Sequence, residues 1–231
     1  AVILAGGLGE RLKPFTQVIP KPLLPVGESS VLEIQLQTLK IHGFDEVFIA
    51  TNYKSKFVEA FLSDHSKYGM QISFSKEKKP LGTCGPLVLL KDRLTEPFVL
   101  MNGDILTNLN FERAYKFALE MDTNLVVITT EITTPFNFGK VRSQDNYLID
   151  IEEKPDFILE VLAGIYIMKP PIFKFIPEDT YYGMDSLIKD MLAEHMKIGT
   201  YQMQEYWLDI GRIEDYQTAM EVYEEHFNYI K

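Results

Sequence analysis

Short apolar runs bounded by turn residues alternate with helix-like patterns through the first half of the chain, and this alternation leaves few architectures open. One helix is clearly marked, because Ser30 and Glu33 form a capping box and Gly43 supplies a left-handed stop. Strands that are separated by helices predict βαβ units on a largely parallel sheet, an α/β fold. The apolar runs are residues 2–5, 46–50, 71–74, 98–101 and 125–129, and the helix-like stretches are residues 30–42, 54–65, 84–93 and 110–120.

A more β-rich portion follows, and two helix-like stretches finish the chain. The strand-like runs are residues 140–141, 147–151, 161–168 and 199–204, and the helical patterns lie near residues 184–195 and 212–227. No repeat and no Ser/Gly/Pro-rich linker interrupts the 231 residues, so we expect one domain over residues 1–231. The first strand starts at residue 1 without an initiator Met, which favours a missing short tail or a domain cut from a longer protein.

Charge and cysteine content narrow the function classes. The chain has 23 basic and 33 acidic residues, a formal net charge of −10, which disfavours a surface for nucleic acid or for an anionic membrane. Cys84 is the only cysteine, so no intramolecular disulfide can form. No apolar run approaches the roughly 20 residues of a membrane span, and no secretory signal opens the chain. We therefore expect a cytoplasmic protein with neither a membrane nor a nucleic-acid partner.

Three glycines, Gly6, Gly7 and Gly9, directly follow the first predicted strand. Glycines at this place let backbone N–H groups close around an anion. A Walker loop is excluded, because the chain contains no Gly-x-x-x-x-Gly-Lys-Ser/Thr string. A dinucleotide-binding fingerprint fails as well, since Leu12 stands where its third glycine belongs and Pro14 prevents a long helix. The same two residues argue against an NAD-linked oxidoreductase.

Four charged residues are candidates for binding a phosphate or a metal. Arg11 and Lys21 follow the glycines and suit a triphosphate, although a tight turn with solvated cations explains them equally well. Asp104 ends an apolar strand, where α/β sheets bind ligands, and suits Mg²⁺; for the residue alone, an Asx turn or a helix cap is the commoner role. Asp209 is flanked by apolar residues and needs a pairing partner, a capping role or a metal.

The glycine loop also carries a resemblance. Leu-Ala-Gly-Gly-Leu-Gly-Glu-Arg-Leu at residues 4–12, with Pro14 and then Lys-Pro-Leu-Leu-Pro at residues 21–25, resembles the signature of the sugar-1-phosphate nucleotidyltransferases, or NDP-sugar pyrophosphorylases. The resemblance extends from residue 1 to about residue 225. It implies a Rossmann-like three-layer α/β fold with a mixed, mostly parallel central sheet and a small β-rich portion that binds the sugar.

The resemblance also implies roles for the charged residues. Arg11 would contact the leaving β- and γ-phosphates, Lys21 the triphosphate near its α-phosphate, and Lys154 the attacking sugar phosphate. Asp104 and Asp209 would hold Mg²⁺, the expected cofactor. The expected catalytic residues are therefore Arg11, Lys21, Lys154 and Asp104.

Short glycine segments are implied to contact the nucleotide and the sugar. Thr83 would also cap the helix that follows it. Leu162 departs from the family pattern, because many relatives carry a polar residue at this position, often Asn. For the nucleotide the resemblance implies Ala5, Gly6, Gly7, Gly9, Gly82, Thr83 and Asn102. For the sugar phosphate it implies Gly139, Glu153, Lys154 and Gly164, although Glu153 and Lys154 by themselves are typical of a solvated charge run.

The implied reaction is direct in-line attack of a sugar 1-phosphate on the α-phosphorus of an NTP, giving an NDP-sugar and pyrophosphate. Residues 80–86 and the string Tyr-Trp-Leu-Asp-Ile-Gly-Arg at residues 206–212 look most like guanylyltransferases for mannose-, heptose- or amino-sugar 1-phosphates, so GTP is favoured. Some of those relatives carry an N-terminal regulatory domain. We also expect a homo-oligomer.

Two groups of alternatives are left. Thymidylyl, uridylyl or cytidylyl transfer to a glucose-type 1-phosphate stays open. A non-catalytic regulatory paralogue would keep the fold and lose the charged ligands, all of which are present in this sequence. A glycosyltransferase is disfavoured, because Asn-Gly-Asp at residues 102–104 does not supply the Asp-x-Asp metal motif that such an enzyme usually needs.

Overall fold

The computed structural model describes residues 1–227 and contains the predicted alternation of strands and helices. The predicted domain extends to residue 231, and its last four positions, 228–231, lie outside the described residues. The strands are β1 (Val2–Leu4), β2 (Pro25–Val26), β3 (Ser29–Ser30), β4 (Glu46–Thr51), β5 (Gln71–Lys76), β6 (Phe98–Asn102), β7 (Ile105–Thr107), β8 (Leu125–Pro135), β9 (Lys140–Gln144), β10 (Tyr147–Glu152), β11 (Asp156–Met168), β12 (Gly199–Gln202) and β13 (Trp207–Asp209). The α-helices are α1 (Phe15–Val18), α2 (Val31–Ile41), α3 (Ser55–Phe61), α4 (Phe111–Glu120), α5 (Met184–Ala193) and α6 (Ile213–His226). Short 3₁₀ turns lie at Glu10–Leu12, Lys21–Leu23, His65–Tyr68, Gly85–Leu90 and Pro170–Phe175.

Seven strands form the central sheet, in the order β12-β8-β11-β6-β1-β4-β5. Strand β1 pairs in parallel with β4 and β6, β4 pairs in parallel with β5, and β12 pairs in parallel with β8. Strand β11 is the exception, because it runs antiparallel to both β6 and β8. The sheet is therefore mixed and mostly parallel, as predicted. The carboxyl ends of β1, β4 and β6 meet at one edge, where open α/β sheets bind ligands.

Successive side chains of each strand enter two separate cores, one on each face of the sheet. On one face Ile3 belongs to a core with Leu36 of α2 and Ala114 of α4. On the other face Val2 belongs to a core with Leu187 of α5. Helical segments thus cover both faces, and the predicted three-layer α/β fold is confirmed.

A third core lies between α6 and the segment that follows the glycine loop. Leu12, Leu24 and Tyr223 are buried in it together. The Tyr216 hydroxyl on α6 donates a hydrogen bond to the Pro25 carbonyl at 2.7 Å. Helix α6 therefore packs against residues 10–30 and stabilises them, although the two segments are far apart in the sequence.

Helix α2 has the predicted ends. The Glu33 N–H donates to Ser30 Oγ at 3.2 Å and the Ser30 N–H donates to Glu33 Oε2 at 3.0 Å, which closes the capping box. Gly43 follows the helix with a φ of +84°, as the stop signal predicted. Among the described residues, no helix is both long enough and apolar enough to cross a membrane.

Three predicted stretches differ from the structure. Residues 84–93 form no α-helix but the 3₁₀ turn Gly85–Leu90, because the N–H groups of Cys84 and Gly85 donate to the Tyr182 carbonyl and Pro86 has no N–H. Strands β8 and β11 are longer than predicted. Their outer parts and the hairpin β9–β10 form a β-rich arm, residues 131–162, whose side chains are almost all exposed.

Candidate active site

The glycine loop leaves β1 near the middle of the sheet. Ala5 is buried, and its N–H donates to a carbonyl of β4 at 2.7 Å. A Cβ atom on Gly6 would lie 3.1 Å from Glu77 Oε1, so the loop passes close to this carboxyl group. Gly9 has a φ of +62°, and a Cβ there would lie 2.7 Å from Thr16 Cγ2. Glycine is therefore required at position 9, and the Thr16 hydroxyl holds the Gly9 carbonyl at 2.8 Å.

A cavity of about 500 Å³ opens beside this loop. Its walls come from the ends of β1, β4 and β6, from residues 80–83 and from Tyr181. The cavity is within the size range of small-molecule sites. Lys21 and Asp104 line it, and so do all of the residues implied in nucleotide binding except Ala5, namely Gly6, Gly7, Gly9, Gly82, Thr83 and Asn102.

Two carboxylates from distant parts of the chain meet at this site. Asp209 ends β13, which pairs with β7 so that Asp209 lies opposite Ile105, next to Asp104. The Lys21 ammonium forms an ion pair with Asp104 Oδ2. Burial raises the pKa of Asp209 and the charge of Asp104 raises it further, whereas Lys21 and Arg11 lower it. The site therefore holds two acidic groups that repel each other and two cations that partly offset the repulsion.

Arg11 lies on the 3₁₀ turn Glu10–Leu12, and the buried Leu12 anchors that turn in the third core. Its guanidinium lies beside Gly211, because a Cβ at that position would be 3.4 Å from Arg11 Nη2. Gly211 lies two residues after Asp209, the last residue of β13. The Arg11 guanidinium is therefore on the same side of the site as Asp209. The Arg11 side chain is exposed and available to a ligand.

The two carboxylates fit a magnesium ion. Asp104 Oδ1 and Asp209 Oδ1 are buried and have no hydrogen-bond partner among the described residues. Such oxygens are costly unless a donor or a cation satisfies them. Within residues 1–227, no three His, Cys, Asp or Glu side chains group together as a metal site. The pair of carboxylates is a donor set that Mg²⁺ accepts, since this ion takes one or two carboxylates and completes its shell with phosphate oxygens and water.

The residues implied in sugar-phosphate binding fall into two places. Gly164 lies in β11 with a φ of +70°, at an irregularity between Leu162 and Tyr166, and a Cβ there would lie 2.7 Å from Asn102 Nδ2. The other three, Gly139, Glu153 and Lys154, lie on the arm beside the hairpin β9–β10 and are exposed. A Cβ on Gly139 would lie 3.1 Å from Glu153 Oε2, so these two residues are neighbours.

Among the cavity-wall residues that sequence reasoning did not assign to the site are the polar residues Asn52, Glu77 and Tyr181. Glu77 stands in a Lys-Glu-Lys-Lys run at residues 76–79, which is typical of a solvated surface, yet it is only 9% exposed. Its Oε2 accepts a hydrogen bond from the Leu81 N–H at 2.8 Å, and burial raises its pKa. Tyr181 is 70% exposed at the rim of the cavity. In the sequence, no local pattern distinguishes either residue from a surface residue.

The predicted role of Thr83 as a cap of the helix that follows it is wrong. Thr83 Oγ1 accepts a hydrogen bond at 2.8 Å from the Met184 N–H, at the start of α5, which the fold brings alongside. Cys84 is fully buried, and burial raises the pKa of its thiol to about 12. It is therefore a packed core residue and not a nucleophile.

Comparisons with known proteins show the family of the chain. Residues 1–226 match the protein family described as nucleotidyl transferase. The chain is 31% identical to mannose-1-phosphate guanylyltransferase catalytic subunit beta of Danio rerio, over 96% of this chain and 64% of that protein. The protein of the same name from Dictyostelium discoideum gives 31% identity over the same two shares. The chain thus spans slightly less than two thirds of the length of these curated relatives.

A solved structure extends the comparison to three dimensions. HddC from Yersinia pseudotuberculosis is similar with a TM-score of 0.75 and 26% sequence identity, over 96% of this chain and 98% of the HddC chain. The likeness therefore extends over nearly the whole of both chains.

Proposed function

The chain belongs to the nucleotidyl transferase family, and from this premise we propose that it transfers a nucleotidyl group from an NTP to a sugar 1-phosphate and releases pyrophosphate. One observation carries the proposal. Lys21 and Asp104 line a cavity large enough for a nucleotide, and Asp209 lies beside them, close enough to feel the charges of Asp104, Lys21 and Arg11. A triphosphate needs cations and a metal site in one place, whereas a non-catalytic paralogue would have no need of this set.

In the proposed reaction an oxygen of the sugar 1-phosphate attacks the α-phosphorus of the NTP. The bond from this phosphorus to the β-phosphate oxygen breaks, and pyrophosphate leaves with the negative charge. The backbone N–H groups of the glycine loop contact the triphosphate, and Arg11 stabilises the charge that develops on the leaving phosphates. Lys21, held at the cavity by Asp104, stabilises charge near the α-phosphate. Lys154 on the arm binds the incoming sugar phosphate.

Asp104 and Asp209 are the residues that would hold Mg²⁺. When bound, the ion neutralises phosphate charge and lowers the repulsion between the two anionic substrates. The orphaned Oδ1 atoms of both residues support this assignment. Asn102 precedes this site, with its amide group against Gly164 of β11, so it lies between the nucleotide cavity and the strand that leads to the arm.

We favour GTP as the donor because of Glu77. The Watson–Crick edge of guanine carries two adjacent donors, N1–H and the N2 amino group, which a carboxylate can accept together. Uracil and thymine place carbonyl oxygens on either side of their single N–H, and a carboxylate would repel them. Glu77 lies in the cavity wall and follows β5, the last strand at one edge of the sheet. It is therefore well separated along the sheet from Asp104, which follows β6. The relatives named mannose-1-phosphate guanylyltransferase support the same donor and favour mannose 1-phosphate as acceptor.

The direct test measures pyrophosphate release with GTP, dTTP, UTP and CTP against mannose, glucose and amino-sugar 1-phosphates, in the presence of Mg²⁺. We expect the fastest turnover with GTP and mannose 1-phosphate. Release with another nucleotide alone would overturn the donor assignment, and no release with any pair would overturn the proposed activity and favour a regulatory paralogue. Homo-oligomerisation and a cytoplasmic location stay predictions.

Variants link the activity to the site. Arg11→Met and Asp104→Asn should each lower turnover by about 100-fold or more while the fold is kept, because both remove charge that acts on the reacting phosphates. Arg93→Met is the matched control: it removes an exposed arginine outside the cavity wall, whose guanidinium forms an ion pair with Glu46 at 2.8 Å and lies 4.9 Å from the centre of the Phe48 ring. Each of these contacts is worth at most about 1 kcal/mol at an exposed site. Equal activities for Arg11→Met and Arg93→Met would refute the role of Arg11.

A further inference from the structure

A buried glutamine of α2 bonds to the backbone on both sides of the metal carboxylate. Gln35 is 3% exposed, and its Nε2 donates to the Asn102 carbonyl at 2.9 Å and to the Ile105 carbonyl at 2.8 Å. These two carbonyls flank the Gly-Asp pair at positions 103 and 104. One side-chain amide thus bridges the two ends of the turn that presents Asp104.

Two further backbone groups of this turn are also held. The Gly103 N–H donates to the Leu4 carbonyl of β1 at 2.9 Å, and the Ile210 N–H donates to the Asp104 carbonyl at 3.0 Å. Gly103 has no room for a side chain, because a Cβ would collide with the Leu4 carbonyl oxygen. Three elements therefore meet at the turn: β1, the end of β13 and, through Gln35, helix α2.

The geometry points to Gln35 as a positioning residue for the metal site, an inference that rests on the proposed function. Its bond to Ile105 fixes the start of β7, and β7 pairs with β13 so that Ile105 lies opposite Asp209. Its bond to Asn102 fixes the residue that precedes the turn. Gln35 therefore sets the separation of the two carboxylates without touching metal or substrate.

Water cannot replace the amide. Gln35 lines a narrow void between α2 and β7 that has no room for a water molecule, and its own Oε1 has no hydrogen-bond partner among the described residues. A substitution that removes the amide donors takes this partner from the buried Ile105 carbonyl and from the half-buried Asn102 carbonyl, and the turn can replace it only by moving. The displaced turn would carry Asp104 with it. Removal of a residue that orients a metal ligand typically lowers metal affinity about 10- to 100-fold.

The test measures metal binding and not turnover. Trp207, the only tryptophan of the chain, lies on β13 with its Nε1 donating to the Ala163 carbonyl at 2.8 Å, so it is close to Asp209. Mn²⁺ is titrated into the full chain in the presence of GTP and without any sugar phosphate, and quenching of the Trp207 emission reports binding. In Gln35→Met, which keeps the side-chain length and removes the donors, we expect the Mn²⁺ dissociation constant to rise about 10-fold.

Thr38→Val is the matched control. Thr38 lies one turn further along α2, lines the same void and is equally buried, but its hydroxyl donates only to the Ile34 carbonyl within the helix, at 2.8 Å. Its Mn²⁺ affinity should stay within about twofold of wild type. An equal loss in both variants would mean that packing alone matters, and the inference would be wrong.

The remaining outcomes separate this inference from the proposed function. If the quenching of Trp207 gives the same Mn²⁺ dissociation constant in the wild type and in Gln35→Met, the role of Gln35 is refuted and the metal site stands. If the wild type itself binds no Mn²⁺ with GTP present, the metal site fails and the inference falls with it. Should Gln35→Met not fold, Gln35→Asn replaces it, since its amide is one methylene too short to reach both carbonyls; unchanged Mn²⁺ affinity there overturns the inference.

Discussion

Replacing Asp209 with asparagine should make the metal-free protein more stable and much less active. The carboxyl group is half-buried beside Asp104, its Oδ1 has no partner among the described residues, and burial and the neighbouring charge both raise its pKa. Asparagine has nearly the same shape and no charge. The substitution therefore removes the repulsion and the desolvation cost, and it also removes half of the carboxylate pair that would hold Mg²⁺.

The size and the pH dependence of the stability gain follow from the same contacts. A single stabilising substitution commonly adds about 0.5–2 kcal/mol, and in a chain of this length each kcal/mol shifts Tm by about 2–4 °C. A carboxyl group whose pKa is raised by folding binds more protons in the folded state, so its contribution to stability falls as the pH rises. The advantage of Asp209→Asn should thus be absent below about pH 4, the ordinary range of the group, and grow through the interval up to the raised pKa.

Thermal unfolding between pH 3.5 and pH 8 in EDTA measures this effect, with the wild type and Asp215→Asn for comparison. Asp215 is the control because its carboxylate accepts hydrogen bonds from the N–H groups of Gly211 and Arg212 at the start of α6, at 3.1 and 2.7 Å. Loss of that charge should lower stability by about 0.3–1 kcal/mol. Adding Mg²⁺ with GTP should raise the Tm of the wild type and not that of Asp209→Asn. A lower Tm for Asp209→Asn at neutral pH in EDTA would refute the reasoning.

Three further predictions concern the cavity and its surroundings. Glu77→Gln should lower kcat/KM for GTP by about 10- to 100-fold and raise it for dTTP or UTP, because an amide offers both the donor and the acceptor that a pyrimidine edge needs; an unchanged preference among the four nucleotides would contradict the base assignment. Gly164→Ala should lower the free energy of unfolding in urea by about 1–2 kcal/mol, since the φ of Gly164 is +70° and the new methyl group would displace the Asn102 amide. Gly7→Ala is the control and should be nearly neutral for stability, because no atom lies within 4 Å of the added Cβ. Cys84, whose thiol has a pKa of about 12 through burial, should resist maleimide in the folded protein at pH 7 and react only after denaturation, and rapid labelling of the native protein would show that the residue is accessible.

Local sequence patterns predicted the parts of the fold that depend on near neighbours. The capping box of Ser30 and Glu33, the Gly43 stop and the order of strands and helices require only contacts within a few residues, and all are present. The same locality explains the error at residues 84–93, where apolar spacing indicated a helix. Tyr182, distant in sequence, takes the first N–H groups of that segment, and only a short 3₁₀ turn forms.

Residues that act through distant partners were identified less completely. Thr83 has the right chemistry for a helix cap, but the helix that it caps is α5, which only the packing of the sheet brings near. Glu77 in a run of lysines has the local signature of a solvated surface, and burial on folding turns it into a wall of the cavity. Gln35 carries no chemical signal at all in the sequence, because its role depends on two carbonyls of another segment.

The sequence by itself determined the α/β class, the glycine loop and the set of charged residues, because strand and helix periodicity, glycine and proline are properties of neighbouring positions. Local patterns left open which charges meet: only the family resemblance implied that Asp104 and Asp209 share a metal, and the tertiary structure brings the two together. The pairing of β7 with β13 sets Asp209 beside Asp104, and that proximity raises the pKa of Asp209 and leaves two buried oxygens for a cation to satisfy. Coulomb repulsion depends on the distance between two charges and desolvation depends on burial, and neither quantity can be read from a linear sequence.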